Sequence, residues 1–426
     1  MPTVSVGRDR LFAALGRTTE EFEALCFEFG IELDDVTTEK AIIRKEKHLR
    51  TTARWTTMTR YDLLCLEGLA RALLVFTGTE ASPVFQVSSI PRGSILQMHV
   101  KPETSKIRPY VVCAVLRGVT FDEARYNSFI DLQDKLHQNI CRKRTLVAIG
   151  THDLDTLQGP FSYEALPPHE INFVPLKQCT QLSDEFNRTV LSLPPIINGA
   201  HSAITLATRN VFIECTATDL TKANIVLNTM VTMFSEYCEI KFEVERVEVV
   251  HHDGRKTVYP DLSCYKMDVS LSDILGPIGI SQDEKQVVCL LNKMQLQAES
   301  HSLKGEPRIS VSVPPTRSDI LHACDLSEDV AIAYGFNNVP KSKPKCMKIG
   351  GRQPLNRFSD KIRAELIFTE KSFVARLQEL VIWRCSHLSC LHTKKTLTCE
   401  TEQMTEVKQS LSQTLALLNS RLLELV

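Results

Sequence analysis

The sequence predicts a multidomain α+β protein. Its 426 residues are enough for two to four domains, each with its own hydrophobic core. Apolar residues make up 43% of the chain, and 50 basic residues nearly balance 51 acidic ones, which is typical of soluble globular proteins. Stretches with helical periodicity alternate with stretches of strand-like periodicity, so neither type of element dominates.

Composition and charge also exclude several classes of protein. A net charge of −1 gives no overall attraction to nucleic acid, so any RNA contact must come from a local patch. No apolar run reaches the roughly 18 to 20 residues of a membrane span, and the first residues lack the apolar core of a signal peptide. Fourteen cysteines without a Cys-x-x-Cys motif indicate reduced thiols. We therefore expect a cytoplasmic protein without a membrane partner.

Residues 1–90 form the first predicted domain. It opens with helical patterns and continues to a long amphipathic helix predicted from Tyr61 to Phe76. Residues 44–60 between them carry six Lys or Arg and one acid. Such a run is either an RNA-facing patch or an ordinary solvated surface, and the sequence leaves both interpretations open.

Residues 105–265 read as a mixed α/β domain. An apolar run from Pro109 to Val119 suits a buried strand, and Ser128 is a candidate cap for the helix that follows. The basic triplet Arg142-Lys143-Arg144 falls at the end of that helix, where cations suit the helix dipole. A second helix is predicted from Thr218 to Cys238.

Residues 266–340 form a small, winged-helix-like α/β domain in our interpretation. Alternation over residues 308–313 predicts a half-buried strand, which Pro314-Pro315 would stop. Asp325 then resembles a helix N-cap with Glu328 three residues later, as in a capping box. Gly335 would end that helix.

Four carboxylates surround this predicted helix start: Asp319, Asp325, Glu328 and Asp329. Acidic side chains in a first helical turn complement the helix dipole and need no ligand. Four such charges close together repel one another, however, and a hard cation such as Mg²⁺ would relieve that repulsion. Residue chemistry alone leaves both explanations open.

Three features together resemble one known family. They are the stretch RYDLLCLEG at residues 60–68, the element PPIING at residues 194–199, and the stretch PPTRSDILHACDLSEDVAIAYGFNN at residues 314–338. These stretches resemble the β subunit of phenylalanyl-tRNA synthetase in its eukaryotic or archaeal form. The resemblance implies a Mg²⁺ site at Asp319, Asp325, Glu328 and Asp329.

The middle region resembles the editing domain of that family. The resemblance rests on VAIGTHDLDTLQGPF, VLSLPPIINGAHS and RNVFIECTATDLTKA, at residues 147–161, 190–202 and 209–223. It implies hydrolysis of tyrosyl-tRNA(Phe) by a pocket that contains Ser192, Glu214 and Thr216. Glu214 would accept the phenolic O–H, and the two hydroxyl residues would line the pocket and place the hydrolytic water. Alternatively, Glu214 is the solvent-facing member of its strand. Residues 180–189 are shorter than the matching family segment.

The resemblance further implies a heterotetramer of two α and two β chains that binds tRNA(Phe). It also implies that the α subunit uses ATP to attach phenylalanine. No class II ATP-binding motif is visible in this sequence, so we expect that this chain does not activate an amino acid by itself. One alternative is a shortened, non-catalytic chain that acts as a binding or regulatory module. A standalone metal-dependent hydrolase is a third possibility, which the lack of a catalytic motif disfavours.

The last part of the chain differs from the family. Residues 341–366 resemble the start of a synthetase-like domain that is cut short, and residues 367–426 form a divergent helical tail. The tail contains a cluster of Cys385, His387, Cys390, His392 and Cys399. Its spacing matches no standard zinc finger.

Overall fold

The computed structural model describes most of the chain before residue 341 and one helix beyond it. The described residues are 4–6, 8–16, 19–35, 49–52, 60–88, 95–167, 190–303, 306–341 and 353–367. Most of the basic run at 44–60, the short segment 180–189 and the tail with its Cys/His cluster lie outside them. The chain divides into two compact units, Met1–Lys341 and Ser342–Val426.

The first unit opens with two helices and a small antiparallel sheet of strand order β1-β3-β2. These elements are β1 (Val4–Val6), α1 (Arg8–Leu15), α2 (Thr19–Phe29), β2 (Glu32–Asp35) and β3 (Leu49–Thr52). The buried side chains of α2 recur at Phe22, Leu25, Cys26 and Phe29, the spacing of one helical face.

The single long helix predicted from Tyr61 to Phe76 is wrong. The chain forms a short 3₁₀ turn at Tyr61–Leu64, becomes extended at Cys65, and then forms α3 (Leu66–Phe76). Cys65 acts as the N-cap of α3, since its sulfur accepts a hydrogen bond from the backbone N–H of Gly68 at 3.5 Å. Apolar residues recur at helical spacing on both sides of Cys65, so the sequence pattern does not reveal the break there.

A large mixed sheet occupies the middle of this unit. Its main path has the order β7-β11-β6-β12-β5-β8, and β4 and β13 also pair with β12. The strands are β4 (Gln86–Val87), β5 (Leu96–Val100), β6 (Tyr110–Leu116), β7 (Val147–Asp153), β8 (Phe161–Tyr163), β11 (Val211–Ala217), β12 (Glu243–Val250) and β13 (Lys256–Tyr259). A separate hairpin consists of β9 (Ser192–Leu193) and β10 (Ile197–Asn198).

Two helices cover one face of this sheet: α4 (Glu123–Gln138) and α5 (Leu220–Phe234). Phe129 of α4 and Phe234 of α5 meet edge to face at 4.8 Å. The predicted cap Ser128 is wrong, because the N-cap of α4 is Asp122, six residues earlier, whose carboxylate accepts the backbone N–H of Arg125 at 2.7 Å. Ser128 lies within the helix and donates instead to Glu67.

The other face of the sheet is enclosed because the sheet curls. Three strands separate β8 from β11 in the sheet order, yet Phe161 of β8 packs against Phe212 of β11 with ring centroids 4.8 Å apart. The hydroxyl of Tyr163, also on β8, donates to the backbone oxygen of Arg108 at 3.0 Å. The middle strands are consequently buried on both faces, and all seven residues of β11 are buried.

Residues 265–334 contain a three-stranded antiparallel sheet of order β14-β16-β15 together with three helices. They are β14 (Tyr265–Ser270), α6 (Leu271–Ile278), α7 (Glu284–Lys293), β15 (Gln297–Leu303), β16 (Glu306–Val313) and α8 (Ala323–Tyr334). Their apolar side chains form a cluster of their own, whereas residues of the N-terminal and middle regions share one larger cluster. The mixed α/β character is confirmed, and the winged-helix description stays a prediction.

The predicted N-cap Asp325 is wrong by one turn. Helix α8 begins at Ala323, and Asp325 lies at its third position, where its carboxylate accepts the backbone N–H of His322 at 2.8 Å. The carboxylate also accepts the N–H of Leu321 at 2.8 Å. A carboxylate at either position satisfies free N–H groups, so the sequence does not separate the two registers.

Within the second unit the structure describes helix α9 (Pro354–Ile367), which begins at a proline as helices often do. The proposed division at residues 90, 105, 265, 340 and 366 stays a prediction. Among the helices that the structure describes, none is long and apolar enough to cross a membrane.

Candidate functional site

Glu214 lies at the centre of strand β11, between two antiparallel neighbours. Its register partners are Gly150 on β7 and Cys113 on β6. Only 6% of Glu214 is exposed. The interpretation of Glu214 as a solvent-facing strand residue is therefore wrong, and a buried carboxylate needs hydrogen-bond donors around it.

One donor is Ser192 on the β9–β10 hairpin. Its hydroxyl donates to Oε1 of Glu214 at 2.6 Å, a short distance typical of a hydroxyl bound to a carboxylate. The hairpin reaches this position with a turn at Pro194–Ile196, and the guanidinium of Arg144 donates to the backbone oxygen of Ile196 at 3.0 Å. The hairpin that contains the PPIING element thus places Ser192 next to the carboxylate of Glu214.

Thr216 follows Glu214 by two residues on β11 and shares its face of the sheet. It is completely buried, and its hydroxyl oxygen has no hydrogen-bond partner among the described residues. A buried hydroxyl without a partner is costly, so such an atom often marks a place for water or a ligand. The structure therefore brings the three predicted residues to one place: Ser192 bonds Glu214 directly, and Thr216 lies beside it.

Sequence reasoning missed His152 and Ser202. His152 pairs in register with Phe212, so its fully buried side chain shares the face of Glu214. Its Nδ1 lies 2.7 Å from the hydroxyl of Ser202, and its Nε2 lies 3.9 Å from Oε1 of Glu214 without a hydrogen-bond partner among the described residues. Both residues lie in segments that resemble the editing domain, and the alternation of β7 could have placed His152 on the inner face.

The small size of Gly150 makes room for the carboxylate. A methyl group in place of its hydrogen would collide with Oε1 of Glu214 and lie 2.9 Å from the carboxylate carbon. Burial, together with the negative charge of Glu214, raises the pKa of Tyr163 to about 12. The same two causes raise the pKa of Cys113 well above its ordinary value. Glu214 thus acts on the pKa of both neighbouring groups, because little water screens electrostatic interactions in this interior.

Arg108 supplies positive charge at the end of this face. Its guanidinium donates to the backbone oxygen of Thr216 at 2.7 Å and to those of Arg144 and Thr145 at 3.3 and 3.1 Å. Burial lowers the pKa of Arg108, and the carboxylate of Glu214 partly opposes that shift. Overall, the arrangement offers a buried carboxylate as acceptor and two unpartnered polar atoms beside it, which suits recognition of a hydroxyl group.

The acidic segment is organised around Arg317, which is 1% exposed. Its guanidinium donates to Asp319 at 3.0 and 2.8 Å and to Asp329 at 2.7 Å. A further donor reaches the backbone oxygen of Met294 at 2.6 Å. Two of the four predicted metal ligands are therefore paired with a buried cation, and not with each other.

A second arginine extends this charge network. Arg60 forms a buried ion pair with Asp62 at 2.6 Å and donates to the side chain of Gln295 at 3.1 Å. Burial alone would raise the pKa of Asp319, but Arg317 and Arg60 outweigh it and the net shift is downward. For Asp329 burial dominates and raises the pKa to about 6, although the same two arginines oppose it.

The other two carboxylates lie in different surroundings. Asp325 caps helix α8 as described above, and Glu328 is exposed. Across the described residues, no three His, Cys, Asp or Glu side chains form a group that could hold a metal ion. The four carboxylates as placed do not fit a common Mg²⁺ site, because Arg317 already occupies the oxygens of two of them. The assignment of magnesium to these residues stays a prediction.

Three family models match consecutive parts of the chain. They are the Phe-tRNA synthetase beta subunit B1 domain at residues 1–79, the B3/4 domain at residues 117–239 and the tRNA synthetase B5 domain at residues 267–336. The B3/4 match contains the site around Glu214, and the B5 match contains the network around Arg317.

Full-length relatives agree with these matches. The chain is 59% identical over 430 residues to the cytoplasmic phenylalanine–tRNA ligase beta subunit of Arabidopsis thaliana, covering 91% of this chain and 70% of that protein. The beta subunit of Homo sapiens is 46% identical over 415 residues, covering 87% and 70%. An N-terminal fragment of the phenylalanyl-tRNA synthetase beta subunit from Pyrococcus horikoshii, known from a crystal structure, superposes with a TM-score of 0.68 at 30% identity. That comparison covers 78% of this chain and 99% of the fragment.

The domains and their order are those of a subunit of an aminoacyl-tRNA synthetase. The chain belongs to the family of phenylalanine–tRNA ligase beta subunits. It is thus a subunit of a translation enzyme, and the alternative of a non-catalytic regulatory module is not favoured.

Proposed function

We propose that the B3/4 region of this chain hydrolyses tyrosyl-tRNA(Phe). The observation that carries the proposal is the buried carboxylate of Glu214, 2.6 Å from the hydroxyl of Ser192. It is flanked by two polar atoms, on His152 and Thr216, that have no hydrogen-bond partner among the described residues. A pocket shaped for phenylalanine rejects a hydroxylated analogue only weakly, so a second site has to remove the mistake. A site built to bond a hydroxyl discriminates strongly, because its polar groups stay unpaired when the hydroxyl is missing.

Each residue has a role in this proposal. Glu214 accepts the phenolic O–H of tyrosine, and Ser192 fixes the carboxylate in position by donating to Oε1. The hydroxyl of Thr216 lies free to bind the hydrolytic water. A phenylalanyl ester would leave Glu214 without its ligand donor, which disfavours its binding in the same pose.

The test replaces Glu214 by glutamine and by alanine. Each variant is incubated with tyrosyl-tRNA(Phe), and the loss of the ester is followed at neutral pH. We expect Glu214→Gln to lower the deacylation rate at least about tenfold, since a neutral amide is a weaker acceptor than a carboxylate. Glu299→Gln, an exposed carboxylate on β15, is the matched control. A Glu214→Ala variant that deacylates at the wild-type rate would remove this residue from the site.

We also propose that the chain assembles with an α subunit, as two α and two β chains, and supports ATP-dependent attachment of phenylalanine to tRNA(Phe). The membership of the chain in the family of phenylalanine–tRNA ligase beta subunits supports this proposal. A cytoplasmic location is proposed on the name of the Arabidopsis relative and on the nine described cysteines, all with free thiols. Light scattering of the chain mixed with an α subunit should give the mass of a heterotetramer, and two separate peaks would contradict the assembly.

Magnesium is part of the proposal only through the family resemblance. Where Mg²⁺ binds, Asp325 and Glu328 are the two of the four carboxylates that make no ion pair with a described residue. No step of the proposed hydrolysis depends on this ion.

A further inference from the structure

Three consecutive basic residues adopt an unusual backbone conformation between α4 and β7. Arg142, Lys143 and Arg144 have φ angles of +45°, +54° and +67°, in the left-handed region. This region costs a residue with a side chain on the order of 1 kcal/mol, so runs of it are rare outside glycine. Such strain persists only where surrounding contacts impose it, and it is common at functional sites.

Contacts on two sides impose this conformation. Buried Arg108 donates to the backbone oxygens of Arg144 and Thr145, and with another nitrogen to the backbone oxygen of Thr216. The side chain of Arg144 donates to the backbone oxygen of Ile196, on the hairpin that carries Ser192. The turn is therefore linked through Arg108 to the strand of Glu214, and directly to the hairpin of Ser192.

The register places the turn at one end of the candidate site. Val147, the first residue of β7, pairs with Ala217, the last residue of β11, and the N–H of Thr218 donates to the oxygen of Leu146 at 2.9 Å. The turn thus lies beside the end of β11 that Thr216 occupies. Arg142 and Lys143 are exposed there, and neither side chain forms an ion pair with a described residue.

We propose that the turn formed by Arg142, Lys143 and Arg144 binds the phosphates of the single-stranded 3′ end of the RNA whose ester enters the Ser192/Glu214/Thr216 site. The 3′-terminal ribose that carries the ester is linked to the preceding nucleotides through phosphates. Phosphates therefore always lie a short distance along the strand from the ester. Cations fixed at the rim of the ester site fit those phosphates, whereas the chain as a whole, with a net charge of −1, offers no general attraction. This inference rests on the proposed hydrolysis and names where its RNA is held.

The conformation also explains why the cations are fixed there. Ending α4 with an ordinary turn would satisfy the helix dipole equally well with the same three side chains. The strained turn instead keeps the backbone bonded to Arg108 while the side chains of Arg142 and Lys143 extend into solvent. The backbone N–H groups of Arg142 and Lys143 also bond to the backbone oxygens of Asn139 and His137, so the same turn ends the helix and presents the two exposed cations.

The test is a double substitution, Arg142→Ala with Lys143→Ala, in the full-length chain. Both side chains are exposed, so the variant should fold with an unchanged unfolding temperature. The KM for deacylation of tyrosyl-tRNA(Phe) should rise about tenfold with kcat nearly unchanged, because the lost contacts are electrostatic and distant from the reacting ester. Lys241→Ala is the matched control, since this exposed lysine precedes β12 at the opposite end of the sheet.

Binding of uncharged RNA separates this inference from the proposed hydrolysis. The probe is a tRNA(Phe) acceptor-stem hairpin, with or without its single-stranded 3′ end, titrated at several salt concentrations. Loss of two phosphate contacts to a single strand should reduce the slope of log K against log salt by about 1.4. That reduction should be seen only with the 3′ end present, and it would support the inference even if no ester were hydrolysed. An unchanged slope, or an equal reduction without the 3′ end, would overturn it.

Discussion

The hydroxyl of Ser192 lies 2.6 Å from the carboxylate of Glu214, although the two residues belong to different structural elements. Glu214 is held in the middle of strand β11, and Ser192 arrives on a separate two-stranded hairpin. The hairpin thus supplies the buried carboxylate with a hydrogen-bond donor from outside its own sheet. The pair is the core of the proposed hydrolytic site.

Removal of the Ser192 hydroxyl should impair that site without unfolding the protein. Ser192→Ala leaves Glu214 without its short donor, and charge-assisted hydrogen bonds contribute roughly 1.5 to 3 kcal/mol. We expect deacylation of tyrosyl-tRNA(Phe) to slow about tenfold or more in a single-turnover assay. Ser162→Ala on strand β8, where the side chain is exposed, serves as the control. Equal rates for Ser192→Ala and wild type would assign Ser192 no part in the reaction.

Gly150 offers a second way to disturb Glu214. In Gly150→Ala the added methyl group collides with the carboxylate, so Glu214 must move. Overpacking of this kind destabilises by roughly 1 to 3 kcal/mol, and we expect a lower unfolding temperature together with loss of deacylation. Gly276→Ala in helix α6 meets nothing within 4 Å and should be neutral or slightly stabilising. Full deacylation by Gly150→Ala would show that the carboxylate is not required where it lies.

The pH dependence of the acidic network follows from Asp329. Its pKa is about 6 in the folded protein against 3.8 for the free group. The folded state therefore binds more protons than the unfolded state between these values, and its stability decreases as pH rises from about 4 to about 6. Asp329→Asn keeps an oxygen for Arg317 but cannot titrate, so the comparison with wild type isolates the effect of removing the charge of Asp329.

We expect the difference in stability between wild type and Asp329→Asn to change only between about pH 4 and about pH 6. Amide hydrogen exchange of helix α8 should show wild type losing protection relative to Asp329→Asn as pH rises from about 4 to about 6, with a constant difference above. A difference that is independent of pH would mean that Asp329 has an ordinary pKa.

The magnesium assignment has a direct chemical test. The family resemblance predicts that the chain retains Mg²⁺ after dialysis and that the double variant Asp325→Asn, Glu328→Gln loses it, as measured by elemental analysis. Glu299→Gln should retain the metal, since its exposed carboxylate lies on β15. Stoichiometric Mg²⁺ in the double variant, or none in wild type, would refute the assignment.

Local pattern predicted much of the fold but not how distant segments meet. Alternation placed strand β16, and helix periodicity placed α5, close to their observed bounds. Family resemblance selected Ser192, Glu214 and Thr216, which the fold brings to one face. Pattern could not reveal the break at Cys65, because the two helical segments continue one periodicity.

In the acidic segment, the number and spacing of carboxylates in the sequence did not predict which groups they contact. Four carboxylates close in sequence suggested one shared ligand, yet the structure gives two of them to Arg317 and one to a helix cap. The cation that pairs with two of these carboxylates, Arg317, lies in the same segment, two residues before Asp319. The burial of Arg317 and of the Arg60–Asp62 ion pair depends on packing between residues more than 200 positions apart, such as Arg60 and Gln295. Sequence spacing carries no information about such contacts.

One comparison tests the central claim most directly: the rates at which the purified chain deacylates tyrosyl-tRNA(Phe) and phenylalanyl-tRNA(Phe). A buried carboxylate that reads the phenolic hydroxyl predicts faster hydrolysis of the tyrosyl ester, by about a hundredfold or more. Equal rates for the two esters, or no hydrolysis of either above the spontaneous rate, would contradict the account of Glu214 as a selective editing residue.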